Sequence, residues 1–456
     1  MSEIKKPEAE ILLDKQLELA PKAKKSNIIT TVIFLVLIFA VSVAFWIVPD
    51  NEYSGEEKRS LKQLPEMSLE RFVSDLKQDF EEIFMTYEEK QGLNDQREDF
   101  ADEIAEYYAD QFPGRNIMRA LKGYTEMLLC KNQSNGIIIS DGMLINPNTI
   151  TGTTKDEDGN IRDRNEEDAI KNITKNIGYI NYLSKMLGAT ETEVYTAIAG
   201  RTVDVNRDIL PSLYPSETND AFWNAYTEGA SKAGINTVDI LSPLRKHAND
   251  GEYVYYKTDH HWTTLGAYYA YTEIIKSLGE EPLPIEAFTK EIASEDFLGT
   301  VYAKSGIAPS GADTMTFFRF ENDEQFTTTI PVGEEVTEYK GFYNRKYLED
   351  ADKYSAFLGH DNFTFGGNNP LTLITKDGEE NREKLVLIKD SFAHSLAPFL
   401  AYHYDLIILD MRYYIPDGNI NKTVMQYASE ENVSKVLILY NMETFMNDEY
   451  LMRIIG

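Results

Sequence analysis

Residues 385–391, LVLIKDS, constrain the fold more than any other stretch of the chain. Leu385 to Ile388 are four branched apolar residues in a row. A strand with apolar side chains on both faces must be covered on both, the situation of a parallel sheet between two layers of helices. Lys389 and Asp390 end the run, Ser391 follows, and Phe392 to Leu400 reads as a helix start. A serine at the carboxyl end of a buried strand, just before a helix, stands where open α/β sheets carry their reactive groups. There the first N–H groups of the helix face a developing oxyanion. The plainer reading is that Asp390 or Ser391 only caps the helix.

The same rhythm runs through the rest of the carboxyl-terminal two thirds. A helix over roughly 165–187 precedes a strand at Glu193–Ile198, and a helix over roughly 217–233 precedes a strand at Asn236–Ile240. The pattern resumes at 385–388, at 405–409 (DLIIL) and at 435–440 (KVLILY). This alternation predicts an α/β fold, a parallel sheet flanked by helices. Residues 290–380, rich in Thr, Phe, Gly and Asn, read as an inserted β/loop region. NGIIISDGMLI, at 135–145, predicts a strand pair turned at Asp141-Gly142.

Ile28 to Val48 is apolar except for Thr30, Thr31 and Ser42, long enough to cross a lipid bilayer. Lys22, Lys24 and Lys25 precede it, and Asp50, Glu52, Glu56 and Glu57 follow. That asymmetry predicts a single-pass membrane protein with a cytoplasmic amino terminus and an extracytoplasmic body, Trp46 lying at the far interface. The rival is a cleaved signal peptide with Ser42-Val43-Ala44 as its processing site, but Phe45 to Val48 continue the apolar run. The expected organisation is therefore a disordered tail (1–26), an anchor (27–49), an acidic, helical membrane-proximal region (50–134) and an α/β domain (135–456). Within the third of these, SLERFVSDLKQDFEEIF has apolar residues at helical spacing. A formal net charge of −30 over 456 residues argues against nucleic acid as a partner. The one cysteine, Cys130, excludes an internal disulfide and a Cys-based metal site, and reads as a small buried hydrophobe.

Residues 257–266 read KTDHHWTTLG. In an extended segment Asp259 and His261 point to one side, so the carboxylate can fix the tautomer of the imidazole. The other ring nitrogen is then free to take a proton from a nucleophile. Four readings meet here. An Asp–His pair can be purely structural. A metal site needs more ligands than this stretch holds. A DHH-type phosphoesterase needs further acidic motifs before this one. A hydrolase-type triad needs a serine on a strand-to-helix turn, and Ser391 is such a residue. No cofactor is implied, and one base leaves His260 and His394 without a catalytic role.

The apolar run, DQFPGR at 110–115, NGIIISDGMLI, TDHHWT at 258–263, LIKDSFAHS at 387–395 and LDMRYY at 409–414 together carry a resemblance. The sequence resembles the DHHW protein family of bacteria, itself similar to the SGNH-hydrolase-like polysaccharide O-acetylation proteins of the alginate type. The resemblance implies an SGNH-like domain in which Ser391 is the nucleophile, His261 the base and Asp259 its orienter. It implies an anchored O-acetyltransferase or acetylesterase acting on a cell-surface polysaccharide, with a polytopic membrane-bound acyltransferase as acetyl source. A catalytically inactive carbohydrate-binding or assembly protein on the same fold is the alternative. Arg412, Trp262 and Asn441 are the candidate substrate contacts. The chain departs from the alginate pattern at Lys389, where that group has Gly, and at His394, where a small polar residue is expected. It departs again where the strand at 193–198 runs into AIAGR.

Overall fold

The computed structural model describes residues 8–66, 73, 77 and 100–456, apart from 148, 156–158, 189–191, 213, 215, 351, 362–366, 419–420 and 431. The amphipathic stretch expected at 68–84 and the side chain of Trp46 lie outside the described residues. The chain forms two compact units, one of residues 1–54 and 59–118, the other of 55–58 and 119–456.

In the first unit, helix α1 (Glu8–Ile47) contains the apolar run, and its Ser26–Phe45 stretch is long and apolar enough to cross a membrane. The helix reaches back to Glu8, into the tail expected to be disordered, a stretch rich in the helix formers Ala, Leu, Glu and Lys. Not all that follows is helical: Tyr53–Ser54 pairs with Arg59–Ser60 as a short antiparallel ladder. Asp110 of DQFPGR is a structural tie here. Its carboxylate takes two hydrogen bonds from Arg59, at 2.5 and 2.8 Å, and one from the N–H of Lys62. Those bonds from Arg59, working against partial burial, hold its pKa down at about 2.

The second unit is built on an eight-stranded sheet among the described residues. Numbered along the chain, its strands are β1 (Glu193–Ala199), β2 (Asn236–Val238), β3 (Phe326–Val332), β4 (Glu335–Lys340), β5 (Leu371–Lys376), β6 (Lys384–Lys389), β7 (Asp405–Leu409) and β8 (Val433–Asn441). They lie in the order β4-β3-β5-β7-β6-β8-β1-β2. β7, β6, β8, β1 and β2 are parallel neighbours, as the alternation predicts. The inserted region goes further than expected, because β3, β4 and β5 join the same sheet antiparallel along the edge of β7.

The period-2 rule sorts the central strands cleanly. Leu385 and Leu387 of β6, Leu406 and Ile408 of β7, and Leu437 and Leu439 of β8 enter one core. Val386, Ile388, Ile407, Leu409, Val436 and Ile438 enter the other. Helix α2 (Glu166–Leu187) closes the second core with Ala169, Ile173, Ile177, Ile180, Leu183 and Leu187, one stripe at helical spacing. Asn165 caps that helix in a capping box with Asp168. Helix α3 (Ser216–Ala233) adds Phe222, Tyr226 and Ala230 beside it. Helix α4 (Leu241–Asn249) and helix α5 (Thr264–Ser277) cover the first core. Burial of each branched side chain contributes about 1.5–3 kcal/mol, so Leu385 to Ile388 anchor β6 firmly between the two cores.

Two local expectations resolve differently. Ile137–Ser140 and Met143–Ile145 form the expected hairpin, and both turn residues, Asp141 (φ 48°) and Gly142 (φ 74°), are left-handed, as a type I′ turn requires. Cys130, however, is exposed: it follows the helix Arg115–Leu128 in the left-handed conformation (φ 59°) that ends many helices.

Candidate active site

Strand β6 delivers Ser391 to the carboxyl edge of the sheet. The chain then turns at once, because the Asp390 side chain accepts the Phe392 N–H at 3.0 Å and the Asn441 N–H at 2.7 Å. That second bond ties the exits of β6 and β8 together. The expected helix from Phe392 to Leu400 is instead a 3-10 turn, Ser391–His394, followed by a short α-helix, Ala397–Ala401. Pro398 supplies no N–H to a continuous helix but fits the first turn of a new one. Ser391 is partly exposed, between buried neighbours on both sides.

Asp259 and His261 come from the loop between α4 and α5. It is not an extended segment. Asp259 Oδ1 accepts both the backbone N–H of His261, at 3.0 Å, and its ring Nδ1–H, at 2.5 Å. The two side chains share a face through an Asx turn rather than through strand alternation. The ends of the loop are clamped by a bridge between Tyr255 and Trp262 and by Thr263, which caps α5. His261 Nε2 lies 2.7 Å from Ser391 Oγ. Asp259 and His261, near neighbours in sequence, thus form one hydrogen-bonded line with the distant Ser391.

Burial opposes ionisation of Asp259, but the imidazoles of His260 and His261 and the bond from His261 outweigh it and hold the carboxyl well below its usual range. The inserted region supplies the rest of its surroundings. Asp259 Oδ2 accepts the Thr300 N–H at 2.7 Å and the Thr300 hydroxyl at 3.0 Å. Gly299 packs so closely that a Cβ there would fall 2.2 Å from Asp259 Cβ. Buried Asp313 accepts from Lys257 N–H, Thr258 N–H and the Thr258 hydroxyl, and so fixes the start of the loop. Tyr354 stacks on the His261 ring, centroids 4.0 Å apart. Gly299, Thr300, Asp313 and Tyr354 escaped the sequence analysis. Their roles come from contacts across tens of residues, which no local pattern in 290–380 announces.

The other candidates divide. Trp262 is fully buried, and its indole N–H donates to the Phe392 carbonyl and to Ser395 Oγ. It has no face for a sugar; it joins the histidine loop to the serine turn. Asn441 is also buried. Its amide donates to the carbonyls of Ala199 and Gly200, and its Oδ1 accepts the Glu443 N–H, so it is a tie between strands rather than a pocket lining. Arg412 is a quarter exposed beside the serine strand's exit, and its Nε and Nη2 grip Asp410 at 2.9 and 2.6 Å.

Lys389 and His394, both departures from the alginate pattern, meet each other. The buried Lys389 ammonium donates to His394 Nε2 at 2.8 Å and to Asp410 at 3.1 Å. Burial, then the Lys389 charge, keeps the His394 pKa well below the ordinary value, so this ring is neutral and able to accept. Asp259, His260 and His261 also offer ligand atoms within 4.8 Å of one another. Both Asp259 oxygens are already engaged as acceptors, and His261 Nδ1 directs its proton at Asp259, so a cation would have to displace those bonds.

The profile of the family described as DHHW protein matches residues 174–409. No curated protein matches the chain. Among solved structures, a DHHW family protein from Eubacterium siraeum is similar with a TM-score of 0.54 at 20% identity, over 70% of this chain and 95% of its own. Bacillus cereus PatB1, determined with a sulfonyl adduct, follows with a TM-score of 0.51 at 20% identity, over 70% and 99%. The O-acetyltransferase domain of Pseudomonas putida AlgJ gives 0.40 at 14%, over 69% and 94%. The fold shared with the first two is the SGNH-hydrolase-like α/β arrangement.

Proposed function

The chain belongs to the DHHW family, and from that premise and its site geometry we propose that it is an extracytoplasmic serine acyl-ester enzyme working through an acyl-Ser391 intermediate. The observation that carries the reading is the unbroken line Asp259–His261–Ser391, with contacts of 2.5 and 2.7 Å. Such a line is what acyl transfer needs: a hydroxyl, a base in reach of it, and a carboxylate that holds the base in one tautomer.

In the first half-reaction Ser391 Oγ attacks an acetyl carbonyl carbon and gives its proton to His261 Nε2. The tetrahedral intermediate collapses, the bond to the donor oxygen breaks, and His261 protonates that leaving oxygen. In the second, an acceptor hydroxyl gives its proton to His261 and attacks the acetyl-serine. Ser391 leaves and recovers the proton. Asp259 stays ionised throughout and stabilises the imidazolium. The Ser391 backbone N–H, at the start of its turn, is the proposed oxyanion donor.

The acceptor in this reading is a hydroxyl of a cell-surface polysaccharide, so the activity is O-acetyl transfer, or acetyl-ester hydrolysis when water takes that place. Helix α1 serves as the anchor, the lipid bilayer lying around Ser26–Phe45, and a membrane-bound acyltransferase supplies acetyl groups. Arg412, beside the exit of the serine strand, keeps its proposed role as a substrate contact. The sulfonyl adduct on PatB1, a chain of the same fold, fits this chemistry. The full chain in detergent should hydrolyse 4-nitrophenyl acetate, and Ser391→Ala and His261→Ala should each lower the rate at least 1,000-fold, roughly the cost of removing a triad member. Undiminished hydrolysis by the serine variant overturns the assignment.

A further inference from the structure

His260 is left over by the mechanism above, yet its protonation can be deduced atom by atom. The Thr300 hydroxyl has one proton, and an ionised carboxylate only accepts, so that proton points at Asp259 Oδ2, 3.0 Å away. The lone pairs of Thr300 Oγ1 therefore face His260 Nδ1, at 2.6 Å. For that contact to be a hydrogen bond, His260 must carry a proton on Nδ1. Partial burial and the neighbouring His261 push the His260 pKa below its ordinary value, so at neutral pH the ring has no second proton. Its Nε2 is then a bare acceptor.

The ring that carries that acceptor lies beside His261. The His260 side chain is 38% exposed, whereas those of Asp259 and His261 are 2% and 6% exposed. The His260 and His261 rings lie 3.8 Å apart, centroid to centroid. Both flank the turn that carries the nucleophile, at 6.0 and 4.9 Å from the ring of Phe392. The site thus presents two imidazoles side by side, each with one nitrogen already fixed by the same carboxylate, directly or through Thr300.

Resting on the acyl-enzyme reading, we infer that His260 Nε2 accepts a hydrogen bond from a second hydroxyl of the acceptor, next to the one that reacts. The reacting hydroxyl surrenders its only proton to His261 and cannot also serve His260. A neighbouring hydroxyl can. The acceptor class is therefore a polyol with adjacent hydroxyls, as on a sugar ring, and His260 selects it against a simple alcohol. No bond to His260 is made or broken during the transfer; it orients the acceptor while His261 moves the proton.

The probe is competition between ethylene glycol and ethanol for acetyl groups from 4-nitrophenyl acetate, with the full chain in detergent and both acetate esters quantified. The wild type should favour the diol at least tenfold, about the worth of one hydrogen bond in the transition state. His260→Phe should drop the preference to about twofold, the ratio of hydroxyl numbers, and His260→Gln, which keeps an acceptor oxygen, should restore part of it. A preference of only twofold in the wild type, one that survives His260→Phe, or ester hydrolysis without transfer to either alcohol overturns the inference. None of these touches the triad. Activity persisting in Ser391→Ala overturns the acyl-enzyme reading itself.

Discussion

At the scale of single residues, the candidate site depends on one absent side chain as much as on those present. Gly299 has an ordinary negative φ of −90°, so it is not there for backbone freedom. It is there because Asp259 occupies the space a Cβ would take. Gly299→Ala must push the carboxylate away from His261 or open the loop. We expect kcat for 4-nitrophenyl acetate to fall at least tenfold while KM stays within about threefold, since a misplacement of an ångström costs on the order of 100-fold in rate. A variant with unchanged kcat would mean that the Asp259 loop yields without consequence. Trp262 and Asn441 teach the reverse lesson. A polar tip suggests a ligand when only the residue type is known, but both tips are spent on backbone carbonyls and neighbours inside the fold.

At the scale of elements, β6 and β7 leave the sheet side by side and place Lys389, Asp410 and Arg412 in one buried network beside the serine turn. Asp410 is fully buried and balances two cations. Burial pulls the Lys389 pKa down and Asp410 opposes that pull, so the carboxylate is what keeps the ammonium charged. Asp410→Asn should destabilise the fold by about 3–5 kcal/mol, because it strands buried positive charge. Urea unfolding followed by tyrosine and tryptophan fluorescence measures it, and a loss under 1 kcal/mol would mean water relieves the cluster. Within the same network the His394 ring accepts from the Lys389 ammonium, which gives that cation a second buried partner.

For the whole molecule, the proposal requires the chain to be membrane-bound with its α/β unit outside. Fractionated cells should hold it in the membrane pellet, released by detergent and not by high salt, and deletion of residues 1–49 should free the rest. Protease added to intact spheroplasts should digest residues 50–456. Protection of that part would reverse the orientation argued from the lysine–acid asymmetry. How much of this was legible beforehand follows from the range of the physics. Apolar runs and periodicity are local, so the long apolar helix, the β6 core strand, the hairpin at Asp141-Gly142 and the βαβ order are all readable from neighbouring residues. The pattern predicts an extended Asp259–His261 and a helix from Phe392 to Leu400, whereas an Asx turn and Pro398 act against it locally. The sequence alone determined which side chains could do acyl chemistry and on which kind of scaffold, since residue type and hydrophobic spacing are properties of the chain. Only the tertiary structure decided that Asp259, His261 and Ser391 stand within hydrogen-bond reach, that β3 to β5 extend the main sheet, and that Gly299 and Thr300 close around the carboxylate. Those contacts join segments tens to more than a hundred residues apart, and distance in space is not written in any one of them.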